Sequence, residues 1–431
     1  MPGGLGYTPA VAVNDLASPP PMHLVRQQFD ASEVPDFDQR LAAEARSVLT
    51  AQGVGTGARI AIAVGSRGVS PVERVVRIVG EAIRSLQAEP FIVPAMGSHG
   101  GGTAAGQAQV LAGYGISEAA LGVPVRATMD TVELGATDDG VRVHMDAAAA
   151  AADGIVVIGR IKPHTSFRGP VESGLCKMLA IGLGNRRGAE TIHAHDLAAT
   201  IPAAARVALA AAPVCMGVGL VENAFDRPHR LAVIGPDVFE ATDRELLQVA
   251  RGVLPRLPLE RLDLLVVDRM GKNVSGTGMD PNVIGMWRRF PELPHEPDYR
   301  WLAVLGLTEQ SHGNAVGIGM ADLTSRKLAD AIDPVPTHAN VLTSMAVGMA
   351  KVPLTLPSDR ECCDLGLALA KRSSSEPLRV ARIASTMELE TFWLSEAALP
   401  DLPQSCEVLA SRPSFDFTED GSIVEAGAFA H

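Results

Sequence analysis

Two of the eleven histidines, His99 and His164, stand at the same kind of place. Each follows a short apolar run, Phe91–Ala95 for the first and Gly154–Ile158 for the second. Each then sits in a loop rich in Gly or Pro, Gly97-Ser98-His99-Gly100 and Lys162-Pro163-His164. An imidazole of ordinary pKa, about 6.5, gives or takes a proton at neutral pH. One loop histidine is more often merely solvated; two at equivalent strand ends suit acid/base work on one ligand.

Lys177 lies in an otherwise apolar, Gly-rich run with Leu175, Met178, Leu179, Ile181 and Leu183. Such a lysine either snorkels to water from a helix or is desolvated and becomes a nucleophile or an attachment point. A helix and a turn later comes His193, with His195 two residues on, a pair that could hold a metal. Gly100-Gly101-Gly102-Thr103 opens a predicted helix, where exposed backbone N–H groups could cradle a phosphate; a flexible turn explains it equally well. In the later part of the chain, Lys272 sits in a Gly-rich loop after an apolar run, and Arg288 follows. With Arg67 of the earlier part they are the candidate ligands of a substrate carboxylate, which a bidentate arginine holds best. The loop of His312, Asn314, Gly313, Gly317 and Gly319 has no assigned role.

The elements that must position these residues alternate in the α/β manner. Arg59–Val64 reads as a buried strand leading into Gly65-Ser66-Arg67-Gly68, and 71–87 reads as an amphipathic helix. Phe91–Ala95 and Gly154–Ile158 read as further strands of one parallel sheet, whose carboxyl-end loops collect where ligands bind. A break in composition at Gly252–Leu262, around Pro255 and Pro258, precedes a new strand, Leu264–Asp268. The expectation is two α/β domains with parallel-rich sheets, 1–259 and 260–431, with the active site in the cleft between them. The second domain is expected to include a strand at Trp301–Leu307 and helices at about 323–331 and 339–350. From Ser405 onward the chain reads as polar loop, with the last roughly 40 residues packing back on the first domain.

Composition sets the outer limits. The 431 residues include 37 basic and 49 acidic side chains, a net charge of −12. That argues against nucleic acid or an anionic membrane as partner, and 4% aromatics against base-stacking platforms. With 47% hydrophobic residues a large core is available. Five cysteines, an odd number without a C-x-x-C pair, fit neither a disulfide framework nor a structural zinc site. Residues 1–21 lack the basic and apolar stretches of a signal peptide, so a cytoplasmic protein is expected. No P-loop and no dinucleotide fingerprint is present.

In Gly97-Ser98-His99-Gly100, Lys162-Pro163-His164, Ser173-Gly174-Leu175-Cys176-Lys177 and His193, taken in order and spacing, the chain resembles the nickel-dependent lactate racemase superfamily. The resemblance implies a nickel-pincer nucleotide (nickel pyridinium-3,5-bisthiocarboxylic acid mononucleotide) joined to Lys177, with His193 as the protein ligand of nickel. It implies His99 and His164 as the two acid/base histidines of a 2-hydroxy-acid racemase or epimerase. A racemase works on both enantiomers and needs a proton acceptor on each face; hydride would pass between the substrate carbon and the pyridinium ring. Partners would be a small 2-hydroxy acid and the enzymes that make the cofactor. The substrate contacts differ from those of the lactate enzymes. The run Ser166 to Gly174 is longer, the loop after the first strand is reduced to Gly65-Ser66-Arg67-Gly68, and Gly285 and Arg288 replace a Gln and a Lys. That points to a 2-hydroxy acid more polar than lactate. The rival readings are a dehydrogenase using a diffusible nicotinamide and a non-catalytic hydroxy-acid binding protein; neither needs both Lys177 and His193.

Overall fold

The computed structural model describes residues 19–66, 70, 72–374 and 376–424. The chain forms two compact units. One spans Asp30–Leu254, and the other joins the segment ending at Phe29 to the segment beginning at Pro255. Both are α/β, with parallel-rich sheets covered by helices. No helix among the described residues is long and apolar enough to cross a membrane.

The first strand, β1 (Met22–Gln27), belongs to the second unit and is taken up there. The first unit contains β2 (Arg59–Val64), β3 (Glu89–Pro94), β4 (Thr131–Ala136), β5 (Arg142–Asp146), β6 (Gly154–Arg160), β7 (Val214–Glu222) and β8 (Pro228–Ile234). Five of them form a sheet in the order β3-β2-β6-β7-β8, in which β8 alone runs antiparallel to its neighbour; β4 and β5 form a separate hairpin. The sequence RIAIAV explains the central strand. Ile60, Ile62 and Val64 face the helices Phe37–Ala51 and Val72–Ser85, while Ala61 and Ala63 face Leu175, Leu179, Ile192 and Ile201. A strand buried on both faces has no polar positions to alternate, so it reads as a continuous apolar run. The segment 175–201, which carries Lys177 and His193, is therefore one of the two layers covering the sheet.

The second unit contains β1, β9 (Arg261–Val267), β10 (Asp298–Val304), β11 (Leu323–Ser325), β12 (Leu354–Leu356), β13 (Val380–Ile383), β14 (Thr391–Ser395) and β15 (Cys406–Arg412), in the order β12-β11-β10-β9-β13-β14-β1-β15. The strands from β12 to β13 are parallel, and β14, β1 and β15 continue antiparallel. The helix Asp359–Ser373 covers one face through Cys362, Cys363, Leu367 and Ala370, all buried.

Three sequence expectations differ from this arrangement. Residues 22–27 were expected with the first domain, but β1 lies between β14 and β15, far along the chain, with Met22 and Val25 buried. The segment from Ser405, read as loop, contains β15, whose edge position leaves most of its side chains in solvent and removes the apolar alternation that marks a strand. The two predicted helices are also displaced. Leu323–Ser325 is strand, and the helix starts at Arg326 with Ser325 as its cap. The next runs over Pro334–Thr343, started by Asp333, whose carboxylate accepts the Val335 N–H at 2.8 Å.

A charge at the centre of β1 tests this connectivity. Val25→Asp buries an unpaired carboxylate where no exposed surface exists. Hydrogen exchange read by mass spectrometry should show protection lost in β14 and β15; unchanged protection there would contradict the pairing.

Candidate active site

The parallel strands β3, β2 and β6 end on one edge of the sheet, so the loops that follow them line up. Ser66 follows β2, His99 follows β3 and His164 follows β6. With β2 between them, the chains leading to the two histidines leave the sheet about 10 Å apart, twice the strand spacing. That suits a small molecule flanked by two imidazoles.

The His99 loop is fixed from behind. Gly97 takes φ +58°, and a Cβ there would lie 3.2 Å from the Ala189 side chain and 3.3 Å from Ile181, so the loop passes close against the Lys177 layer. Its N–H donates to the Gly182 carbonyl at 3.0 Å. The fully buried Gln107 amide donates to the Gly97 carbonyl at 2.8 Å. The His99 ring is exposed, and its Nδ1 shares a hydrogen bond with the Ser66 hydroxyl. The Ser66 carbonyl in turn accepts the Tyr114 hydroxyl. Nδ1 is thus occupied by Ser66.

His164 is held by a buried acid. Glu172 is 1% exposed; it accepts the His164 N–H at 2.5 Å and the Gly169 N–H at 3.3 Å and pairs with Arg251 at 2.8 Å. Arg168 donates to the His164 carbonyl at 2.8 Å, and the Phe167 ring packs 4.6 Å from the imidazole. The ring itself is bracketed. Ser166 N–H donates to Nδ1 at 3.0 Å, and the Lys177 amine lies 2.7 Å from Nε2. A backbone N–H can only donate, so Nδ1 is the acceptor and the ring proton of neutral His164 belongs on Nε2. That proton faces the Lys177 nitrogen. The snorkelling alternative for Lys177 does not describe this contact.

Lys177 ends the one-turn helix Leu175–Lys177, and the chain continues as a π-turn over Met178–Gly182, closed by Leu183 N–H to the Met178 carbonyl at 2.8 Å. Such turns are rare and cluster at functional sites. The helix Asn185–His193 follows. Asn185, at φ +50°, fastens its start by donating to Asp146 at 2.9 Å and to the Thr128 carbonyl at 3.0 Å. At its other end His193 Nδ1 donates to the Ala189 carbonyl at 2.6 Å, which leaves the Nε2 lone pair available. Desolvation of the ring pushes its pKa below the usual histidine value; a charge on Lys177 acts in the same direction, and the Ala189 carbonyl opposes both. Among the described residues no three His, Cys, Asp or Glu side chains converge on a metal position. A group that brings its own donors would need only His193 from the protein. The residues therefore fit a lysine-tethered, metal-bearing group. His195 is exposed, and no metal cluster includes it.

Gly100, Gly101 and Gly102 all take positive φ, +63°, +69° and +63°. Thr103 is the cap of the helix Ala104–Gly113: its hydroxyl accepts the Gly106 N–H at 3.1 Å and donates to the Gly100 carbonyl at 3.2 Å. Its hydroxyl serves its own helix.

The three expected carboxylate ligands fare differently. Arg67 lies outside the described residues. Ser70, just beyond it, donates its N–H at 2.6 Å to Glu222, a buried acid at the end of β7 whose pKa burial raises. Lys272, in the second unit, donates to the Gly276 carbonyl at 2.7 Å and to Asn340 at 3.3 Å, bracing its Gly-rich loop. Arg288 is corrected: its side chain is 2% exposed and spent within its own unit. It pairs with Asp322 at 2.9 Å, donates to the Met320 carbonyl at 3.0 Å and to the Tyr299 carbonyl at 2.5 Å, and lies over the Trp287 ring. A lone arginine between Gly-rich segments gives no sign in the sequence of whether it points inward. Ser66 and Glu172, which orient the histidines, were also missed, because their partners lie one strand away or across a loop.

Residues 30–204 match the family model described as the lactate racemase N-terminal domain. Among solved structures, the lactate racemase apoprotein from Thermoanaerobacterium thermosaccharolyticum superposes with a TM-score of 0.50 and 12% identity. The superposition covers 85% of this chain and 99% of that one, a likeness of fold. No curated protein matches the sequence. His99, Lys177, His164 and His193 all fall within the matched segment.

Two measurements test the site's electrostatics. His193 binds its proton less readily folded than unfolded, where the value is about 6.5. Its contribution to stability is therefore present above about 6.5 and lost as the pH falls through the lower folded value. His193→Ala should flatten the acid limb of a Tm–pH curve of the protein without cofactor, and NMR titration should place the ring below 6.5 with the proton on Nδ1. Arg288→Ala should cost roughly 3 kcal/mol in urea unfolding, as for a broken buried pair. Lys272→Ala should cost only about 1 kcal/mol. Equal, small losses would return Arg288 to the surface.

Proposed function

We propose, from the premise that this chain is a member of the lactate racemase superfamily, that it is a racemase or epimerase of a 2-hydroxy acid. The observation that carries this reading is the 2.7 Å contact of the Lys177 amine with His164, beside a His193 whose Nε2 is left open. A binding protein needs no nucleophilic lysine, and a dehydrogenase with a diffusible nicotinamide needs no tether.

Lys177 would hold the nickel-pincer nucleotide through its amine and His193 would give Nε2 to nickel; when bound, that group supplies a hydride acceptor for the substrate carbon. The chain's own residues do the rest. His164 and His99 would take or return the hydroxyl proton, one for each enantiomer. Ser66 keeps the His99 ring in orientation through Nδ1, and Glu172 with the Ser166 N–H does the same for His164. The pKa of His193 is lowered, which favours the neutral ring whose Nε2 lone pair a metal would need. Arg67 is the remaining arginine candidate for the substrate carboxylate, and Lys272 for a second polar group. A hydroxy diacid or a sugar acid fits two cations better than lactate, whose other substituent is a methyl. The enzymes that build the nucleotide would be its partners, and the cytoplasm its compartment.

The protein should be produced together with the cofactor-making enzymes. The peptide containing Lys177 should then gain the mass of the nucleotide, with about one nickel per chain. His99→Ala and His164→Ala should each lower racemisation by about 10²–10⁴, the usual contribution of a general acid or base. An unmodified Lys177 under those conditions, or either variant keeping the wild-type rate, would remove this reading. A panel of 2-hydroxy acids scored by loss of optical purity decides the substrate; lactate leading it would exclude the polar-acid assignment alone.

A further inference from the structure

Asp243 lies on the helix Phe239–Val253, remote in sequence from every residue discussed so far, and is 2% exposed. Its two oxygens point at one place. Oδ1 accepts the Leu175 N–H at 2.9 Å and Oδ2 accepts the Cys176 N–H at 2.8 Å. These are the first N–H groups of the turn that ends at Lys177, and a three-residue helix has no internal partners for them. The Cys176 thiol also hydrogen-bonds to this carboxylate, and burial raises the thiol's pKa well beyond the ordinary range, so it serves as a donor rather than a nucleophile. Gly174 makes the approach possible: a Cβ there would meet Oδ1 at 2.5 Å. Three residues of Ser173-Gly174-Leu175-Cys176-Lys177 are thus shaped around one acid that the motif does not contain.

We infer that Asp243 is a positioning residue, whose carboxylate clamps the amino end of the Lys177 turn and thereby holds the Lys177 amine against His164. One helical turn cannot hold its own register in water, and the π-turn that follows does not supply it. A carboxylate is required because both partners are donors: asparagine offers one acceptor and turns an NH₂ on the other N–H. Burial pushes the Asp243 pKa up to about 6, and Glu240 on the preceding turn adds to the rise, while Glu240 is itself paired with Arg206 at 2.8 Å and Arg244 at 3.0 Å. Asp243 is therefore ionised at neutral pH, the form that accepts both bonds. The inference rests on the Lys177 contact underlying the proposed function, and its test needs neither cofactor nor turnover.

The protein without cofactor is acetylated at neutral pH with N-acetoxysuccinimide, and labelling of Lys177 is read by peptide mass spectrometry against the exposed Lys351. His164→Ala sets the reference loss of Lys177 reactivity. In Asp243→Asn the Lys177:Lys351 ratio should fall toward the value set by His164→Ala. Asp243→Asn combined with His164→Ala should lose no more than His164→Ala alone, because both remove one contact. Cys176→Ala, which keeps the backbone clamp, should retain most of the ratio. Gly174→Ala opens the same clamp from the other side and should reproduce the loss if Asp243→Asn fails to fold. A ratio unchanged in folded Asp243→Asn or Gly174→Ala, or additive losses in the double variant, would overturn the inference even if racemisation were later found. Loss of the ratio in a protein that never racemises would leave the clamp standing and remove only the function.

Discussion

The contact between the Lys177 amine and the His164 ring ties together two parts of the first unit that otherwise have separate reasons to exist. His164 is placed by the end of a parallel strand, and Lys177 by the layer that covers the sheet's opposite face from the Phe37–Ala51 helix. For them to meet at 2.7 Å, that layer must cross the strand ends closely. The small side chains of β2, Ala61 and Ala63, and the glycine at 97 allow it. The π-turn after Lys177 follows from the same constraint. An α-helical continuation would wind the chain more tightly, whereas the wider turn carries it from the lysine to the helix that bears His193.

Buried acids supply much of the local order in a chain of net charge −12. Glu172 accepts the backbone N–H of His164, Glu222 that of Ser70, and Asp146 those of Ala148 and Ala149 while also receiving the Asn185 amide. None of these carboxylates has to touch a ligand. A charged acceptor forms a stronger bond to a buried N–H than a neutral one does. Placing the acid behind the loop leaves the loop's own side chains for the ligand. The cost shows in Glu222 and Asp146, whose pKa values burial raises.

What could be read from sequence divides along the same line. The strand Arg59–Val64 was legible to the residue, because burial on both faces leaves an unbroken apolar run between turn residues. The place of His99 and His164 after strands of one sheet was legible because parallel strands impose a common direction on their loops. The helix start at Thr103 was legible as well, and its hydroxyl caps that helix. β1 was assigned to the wrong unit because pairing across more than 360 residues leaves no local trace. Arg288 was misread for a related reason: an arginine in a loop looks the same whether it meets a ligand or, as here, Asp322 and three carbonyls. Motifs reveal residues that share a stretch of chain; clamps such as Asp243 on Leu175 join stretches that do not.

The correction at Arg288 also bears on how reaction and specificity are distributed along the chain. The lysine and the three histidines lie within residues 30–204, the span that matches the lactate racemase N-terminal domain. Lys272 lies beyond that span, in a loop braced by Gly276 and Asn340. The four side chains within the span sit at the ends of the sheet's strands and in its covering layer, where a shift of one residue would reverse a strand's faces and expose its core. A cation in a glycine-rich loop is free of that restriction, because the loop's conformation depends on a few hydrogen bonds of its own.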